Sequence, residues 1–288
     1  MTGARKIRLV IPTGRMHQEV LRLLHEAGLH VPSVERNFRP RASDPRYEVK
    51  LLKAANIPSL VEMGAHDVGF TGLDWVRESG AEVEPLLDTG LLPVRLVSAV
   101  PAGTRPLHEV RGRPVVVASE YECLTREYMG RHRVEWRFVR TWGASEVFPP
   151  EDADMIVDNT ATGSSLASNR LEVLDEILSS TTLFVANRRS LDDPAVREAV
   201  EDLCLLMHSV LEARSRVLLE MNVGRDDLAR VVALLPAMKA PTVQPLYGDG
   251  QFAVKAAVPR NDVHRLIPAL RRAGATDILE IQIQRVIP

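Results

Sequence analysis

Apolar positions in the first hundred residues switch back and forth between a strand-like and a helix-like period. Lys6–Ile11 alternates and then runs apolar, which suits a strand of a parallel sheet. Pro12-Thr13-Gly14-Arg15 interrupts it. Val20, Leu21, Leu23, Leu24 and Ala27 then recur at helical spacing from Met16 to Ala27, and Gly28 supplies the stop. Asn56-Ile57-Pro58 opens a second helix with proline in its first turn, and Gly64 ends it. Asp67–Thr71 predicts a strand, Thr71-Gly72-Leu73-Asp74-Trp75 a second strand–glycine–helix junction, and Val83–Leu87 another strand. This alternation predicts an α/β sandwich on a mostly parallel sheet.

A second α/β unit follows. Val94–Val100, Pro114–Ala118, Val134–Arg140 and Ala153–Asp158 read as strands; Ser119-Glu120-Tyr121 leads into a helix ending at Met129, and Gly143–Phe148 is a short helix. Leu183–Ala186 is a further strand, and Asp193-Pro194 caps a helix running to about Arg214. Two such lobes place a cleft between them, where ligands sit, with the glycine junctions at 14, 72 and 163 directed to it. Beyond, Arg216–Val223, Asp226–Leu235, Thr242–Leu246, Phe252–Val258, Asp262–Ala273 and Ile278–Val286 follow the order βαββαβ of the ferredoxin-like unit. The expected division is 1–93 with 184–214 as lobe I, 94–183 as lobe II, and 215–288 as a third domain.

Composition narrows the class. The 288 residues are 45% apolar and 26% charged, as in a globular protein, and the net charge of −2 argues against a nucleic-acid binder. Cys123 and Cys204 lie far apart without metal-ligand spacing and read as packing thiols. No apolar run approaches the roughly 20 residues of a membrane span, and the chain opens on a strand rather than a signal peptide. A cytoplasmic protein is expected.

Candidate chemistry concentrates in Asp154–Leu166. Asp154, Ile156 and Asp158 share one strand parity, so the two acids are expected on one side. Thr160, Thr162, Gly163, Ser164 and Ser165 then form a hydroxyl-rich turn opening a helix, which suits a phosphate cradle and equally an ordinary capped turn. Gly14 and Arg15 stand at the lip of the first strand. Residues 36–53 carry Arg36, Arg39, Arg41, Arg46, Lys50 and Lys53 against Asp44 and Glu48, and Pro40, Ser43 and Pro45 make this a loop. Such a run is either a solvated loop or an anion-binding one. Glu120 is either a cleft acid or a helix N-terminal carboxylate.

Several of these segments resemble the ATP phosphoribosyltransferases of histidine biosynthesis in their long form. The similarity rests on Ile11-Pro12-Thr13-Gly14-Arg15-Met16, Arg41-Ala42-Ser43-Asp44-Pro45, Val68 to Trp75, Asp154 to Leu166, Ala186-Asn187 and Leu234 to Val243. The resemblance implies catalytic lobes like type II periplasmic binding proteins and an ACT-like C-terminal domain. It implies Mg2+-dependent transfer from phosphoribosyl pyrophosphate to N1 of ATP, feedback inhibition by histidine, and a cytoplasmic homo-hexamer built from dimers.

On that reading Asp158, assisted by Asp154, holds the ribose or its magnesium, and residues 160–165 hold the 5-phosphate. Gly14, Arg15, Thr71, Gly72, Asp74, Glu120, Arg36 and Arg39 serve ATP. Thr242, Lys239 and Asn222 serve histidine. The chain departs from the family at Thr13, where lysine is common, at Ser165, where threonine is common, and at Glu151-Asp152, where Gly-Leu is common. The rival functions are a cytoplasmic small-molecule sensor or a catalytically silent relative on the same scaffold.

Overall fold

The computed structural model describes residues 5–33, 37–104, 113–247 and 250–287. The chain divides into two compact units, Met1–Arg22 with Leu29–Val200, and Leu23–Gly28 with Glu201–Pro288. The first unit contains two five-stranded sheets built on one plan.

In the first sheet β1 (Ile7–Pro12) pairs in parallel with β2 (Tyr47–Leu52) and β3 (Val68–Gly72). β10 (Thr182–Ala186) runs antiparallel between β3 and β4 (Glu84–Asp88), giving the order β2-β1-β3-β10-β4. β1, β3 and β10 are buried almost throughout, as expected of strands covered on both faces. α1 (His17–Glu26), α2 (Ile57–Glu62) and α3 (Leu73–Ser79) follow β1, β2 and β3. Where the basic run 36–53 predicts only loop, residues 47–52 form β2. Tyr47, Val49 and Leu51 alternate inward there, a period-2 signal hidden among the charges.

The second sheet has the order β7-β6-β8-β5-β9. β6 (Val115–Ser119) pairs in parallel with β7 (Trp136–Arg140) and β8 (Met155–Thr160). β5 (Val94–Pro101) is antiparallel to β8 and to the long edge strand β9 (Leu171–Ser180). α4 (Glu122–Met129) follows β6, and α5 (Ser164–Ser168) follows β8. The carboxylates of Leu-Glu-Val-Leu-Asp-Glu-Ile-Leu conceal β9 in the sequence, because most of its side chains are exposed on the sheet edge. Only Ser145–Val147 of the expected 143–148 helix is helical, as one 3-10 turn.

α6 runs from Pro194 to Arg214. The second unit then reads β11 (Arg216–Gly224), α7 (Leu228–Leu234), β12 (Thr242–Pro245), β13 (Gln251–Pro259), α8 (Val263–Arg272) and β14 (Ala275–Gln282). Its four strands form one antiparallel sheet, β12-β13-β11-β14. Val217, Leu219, Met221 and Val223 point from β11 into a core completed by Val231 and Leu270 of the two helices. No helix among the described residues is long and apolar enough to cross a membrane.

Candidate active site

The loops that follow the parallel strands carry the chemistry, as the carboxyl ends of parallel sheets generally do. A cavity of about 350 Å3 is lined from both sheets. Thr13 and Gly14 follow β1 and Lys53–Asn56 follow β2; Glu120 follows β6, and Arg140, Thr141 and Trp142 end β7. Gly14 and Glu120 are thus among the lining residues. Among the described residues of the basic run, Lys53 reaches the cavity. Arg39 instead faces Glu48 at 3.3 Å beside β2, and Arg36 lies outside the described residues.

Asp158 sits near the carboxyl end of β8. Its Oδ1 accepts the Asn159 amide at 2.7 Å, and that amide and the nearby Ser145 hydroxyl lower its pKa. Burial raises its pKa to about 6, and the neighbouring carboxylates Glu146 and Glu120 add to the rise. The adjoining turn is folded by its own hydroxyls. Thr160 Oγ1 accepts from the Gly163 amide at 3.0 Å, and Thr162 and Ser164 hydroxyls lie 3.0 Å apart. Gly163 takes φ +79°, a conformation that side chains disfavour, which lets the chain turn straight into α5. The first amides of α5 have no partner within the helix. Ser165 donates to Glu146, which ties the turn to the Asp158 cluster.

Asp154 is elsewhere. It precedes β8 at the opposite end of the strand, roughly 13 Å away at about 3.3 Å per residue. Arg113 clamps both its oxygens, at 2.5 and 2.7 Å, and the Val116 amide donates to Oδ2 at 2.8 Å. Its carboxyl is held below the usual range by these donors, against the opposing effect of burial. Shared strand parity therefore does not make the two acids a pair, and Asp154 is a fastener between β8 and β6.

A second correction concerns Thr71, Gly72 and Asp74. Thr71 is fully buried and donates to the Ala54 carbonyl at 3.0 Å. Asp74 is buried with both oxygens taken, by the Tyr121 hydroxyl at 2.6 Å and the Ser180 hydroxyl at 2.8 Å. A Cβ on Gly72 would lie 2.0 Å from Asp74 Oδ1, so glycine is needed for that carboxylate to sit there. Tyr121 also accepts from Asn159 Nδ2 at 2.7 Å and stacks on Trp75 with ring centroids 4.4 Å apart. Burial and the adjacent Asp74 push its phenol far up, so it stays neutral. Arg15 extends the chain, reaching Asn159 Oδ1 at 3.5 Å. The result is a polar line from the first sheet to the second, buried at Asp74 and Tyr121.

Trp142 is the group that sequence reasoning overlooks most plainly. It lines the cavity yet is 87% exposed, with the Arg140 guanidinium 5.9 Å from its ring. The visible signal was Thr141-Trp142-Gly143, a strand end followed by glycine like the other junctions. In the second unit Asn222 donates to Asp277 at 2.9 Å, while Lys239 and Thr242 are exposed.

The family model for ATP phosphoribosyltransferase matches residues 53–209, and the model for that family's C-terminal domain matches 213–285. The chain belongs to the ATP phosphoribosyltransferase family. It is 36% identical over 295 residues to an ATP phosphoribosyltransferase of Chlorobium luteolum, covering all of both chains. It is 38% identical over 290 residues to one of Pelotomaculum thermopropionicum, covering 98% of this chain and 100% of that protein. Among solved structures, the ATP phosphoribosyl transferase (HisG:HisZ) complex from Thermotoga maritima matches with a TM-score of 0.65 at 26% identity, over 73% of this chain and 99% of that one. Membership in the ATP phosphoribosyltransferase family makes the chain a transferase of histidine biosynthesis, acting at its first step.

Proposed function

We propose that the chain transfers the phosphoribosyl group of phosphoribosyl pyrophosphate to N1 of ATP. The C1–N1 bond forms as the C1–oxygen bond to pyrophosphate breaks. The observation that carries this reading is Asp158, raised to about 6 beside a pre-folded hydroxyl turn. The turn from Thr160 to Ser165 offers hydroxyls and helix amides to the 5-phosphate. Asp158 faces the ribose, where a carboxylate stabilises positive charge developing at C1. Lys53, Arg15 and Arg140 serve the phosphates, and Trp142 is a shelf for the purine. Holding both substrates in register supplies much of the acceleration, since the reaction needs no nucleophile from the protein.

The donor set fits Mg2+. Asp158 is flanked by Glu120 and Glu146 rather than by cations. Among the described residues no group of three or more His, Cys, Asp or Glu is arranged to hold a metal. A magnesium site in which one or two carboxylates are supplemented by substrate phosphates and water needs no such group. Asp158, with Glu120 or Glu146, would hold the ion, which would neutralise the departing pyrophosphate.

The finer architecture follows the same reading: catalytic lobes of the type II periplasmic-binding kind, at 1–93 with 184–214 and at 94–183, and an ACT-like domain at 215–288. The strand order β12-β13-β11-β14 within βαββαβ supports the ferredoxin-like form of that domain. Histidine is its proposed inhibitor, with Thr242, Lys239 and Asn222 near the contact, in a cytoplasmic hexamer built from dimers. Mixing the protein with ATP, phosphoribosyl pyrophosphate and Mg2+ tests the reaction directly. Pyrophosphate release supports it, and no release returns the sensor or the catalytically silent relative. Histidine inhibition that is unchanged in Asn222→Ala/Thr242→Ala would remove those residues from the inhibitor site.

A further inference from the structure

The second compact unit holds a cavity of about 400 Å3 that the proposed reaction does not use. Arg214 at the end of α6, Arg260 after β13 and Arg285 beyond β14 line it together with Glu26, while Val210 and Ile283 add apolar wall. Among the described residues, Arg214 alone of the three is neutralised by a carboxylate, through Glu26 Oε2 at 2.9 and 3.1 Å. Arg260 Nε donates to the Arg214 carbonyl at 3.1 Å, and Arg285 Nη2 to the Glu26 carbonyl at 2.8 Å.

Each of these two arginines thus covers the last carbonyls of a helix, α6 in one case and α1 in the other. Capping alone is the simpler account of them. It accounts for one N–H of each guanidinium and leaves the others, and it requires no cavity. The charges also fail to balance. Three guanidiniums face one carboxylate and two helix ends worth about half a negative charge apiece, which leaves an excess of about one positive charge. Guanidiniums anchored through one nitrogen and open at the others are pre-organised forks for oxyanions.

We propose that this cavity binds a small phosphate-bearing anion, held by Arg260 and Arg285 with Arg214 behind them. Phosphate and its esters share the chemistry the forks recognise. The site is separate from the Asp158 cluster, so the proposal does not depend on the reaction assigned above.

Calorimetric titration of the full-length protein with inorganic pyrophosphate provides the test, with Arg260→Gln/Arg285→Gln alongside. The variant should bind one fewer equivalent per chain, or bind it about 10-fold or more weakly after losing two charge-assisted donors. Its release of pyrophosphate from ATP and phosphoribosyl pyrophosphate, measured without added effector, should equal wild type and serves as the folding control. Equal stoichiometry and affinity in the two proteins would overturn the site. If the variant does not fold, wild-type crystals soaked in tungstate decide: an anomalous peak among the three arginines supports the proposal, and an empty cavity refutes it. A site that takes citrate but neither phosphate nor pyrophosphate would also refute it, since the ligand class would be wrong.

Discussion

The two ends of β8 hold the same side chain four residues apart and treat it in opposite ways. At the amino end Asp154 meets Arg113 and the Val116 amide, and its pKa falls. At the carboxyl end Asp158 meets a hydroxyl, one amide and two other carboxylates, and its pKa rises to about 6. The first acid has all its partners inside the protein. The second is left short of positive charge, which is what a cationic ligand or a ribose acquiring charge supplies. Local supply of counter-charge, rather than residue type or strand parity, separates the two acids here.

The sharpest way to break this comparison is Asp158→Asn. Turnover should fall about 10²–10³-fold, the scale of losing one electrostatic contact to a transition state, while thermal unfolding stays cooperative. The same variant should change the acid side of the pH–rate profile. Wild type should lose kcat/KM for phosphoribosyl pyrophosphate as pH falls through about 6, where Asp158 takes up a proton. A variant that retains this limb would assign it to another group. The stability effect has the opposite sign to that of an ion-paired acid. Because the folded-state pKa is raised, ionised Asp158 disfavours the fold, and its penalty is relieved as pH drops from above 6 toward 4.

Trp142→Ala should raise KM for ATP about 10-fold, within the range measured for stacking one base on an aromatic ring, and leave kcat nearly unchanged. An equal loss in KM for phosphoribosyl pyrophosphate would place the indole against the other substrate. Asp154→Ala should affect activity least. It leaves the Val116 amide without its acceptor, for about 1–2 kcal/mol of lost stability read in urea unfolding. If it depressed kcat as strongly as Asp158→Asn, the division between the two ends of β8 would collapse.

The sequence showed the alternation of strand and helix well because β1, β3, β6 and β8 are buried on both faces and therefore apolar. It concealed β2 and β9 because both carry charge where they meet solvent. The turn at 160–165 was legible, since hydroxyls around a glycine before a helix have a local cause. Asp74 was not. A junction acid looks the same in sequence whether it faces a ligand or a buried tyrosine, and only Tyr121, 47 residues later, decides the matter. Trp142 was missed for a different reason: its only signal was the strand end and glycine around it, and the indole itself carries no mark of exposure in the sequence.

The chain passes from the first sheet to the second between β4 and β5 and returns between β9 and β10. The two crossings lie side by side. Val94 pairs with Ser180, and Thr182 exchanges backbone bonds with Thr89 and Leu91. Mechanically this is a door hung on one edge. The backbone bonds along that edge resist sliding of one sheet past the other. The line from Asp74 through Tyr121 to Asn159 then fastens the two sheets a second time, away from that edge.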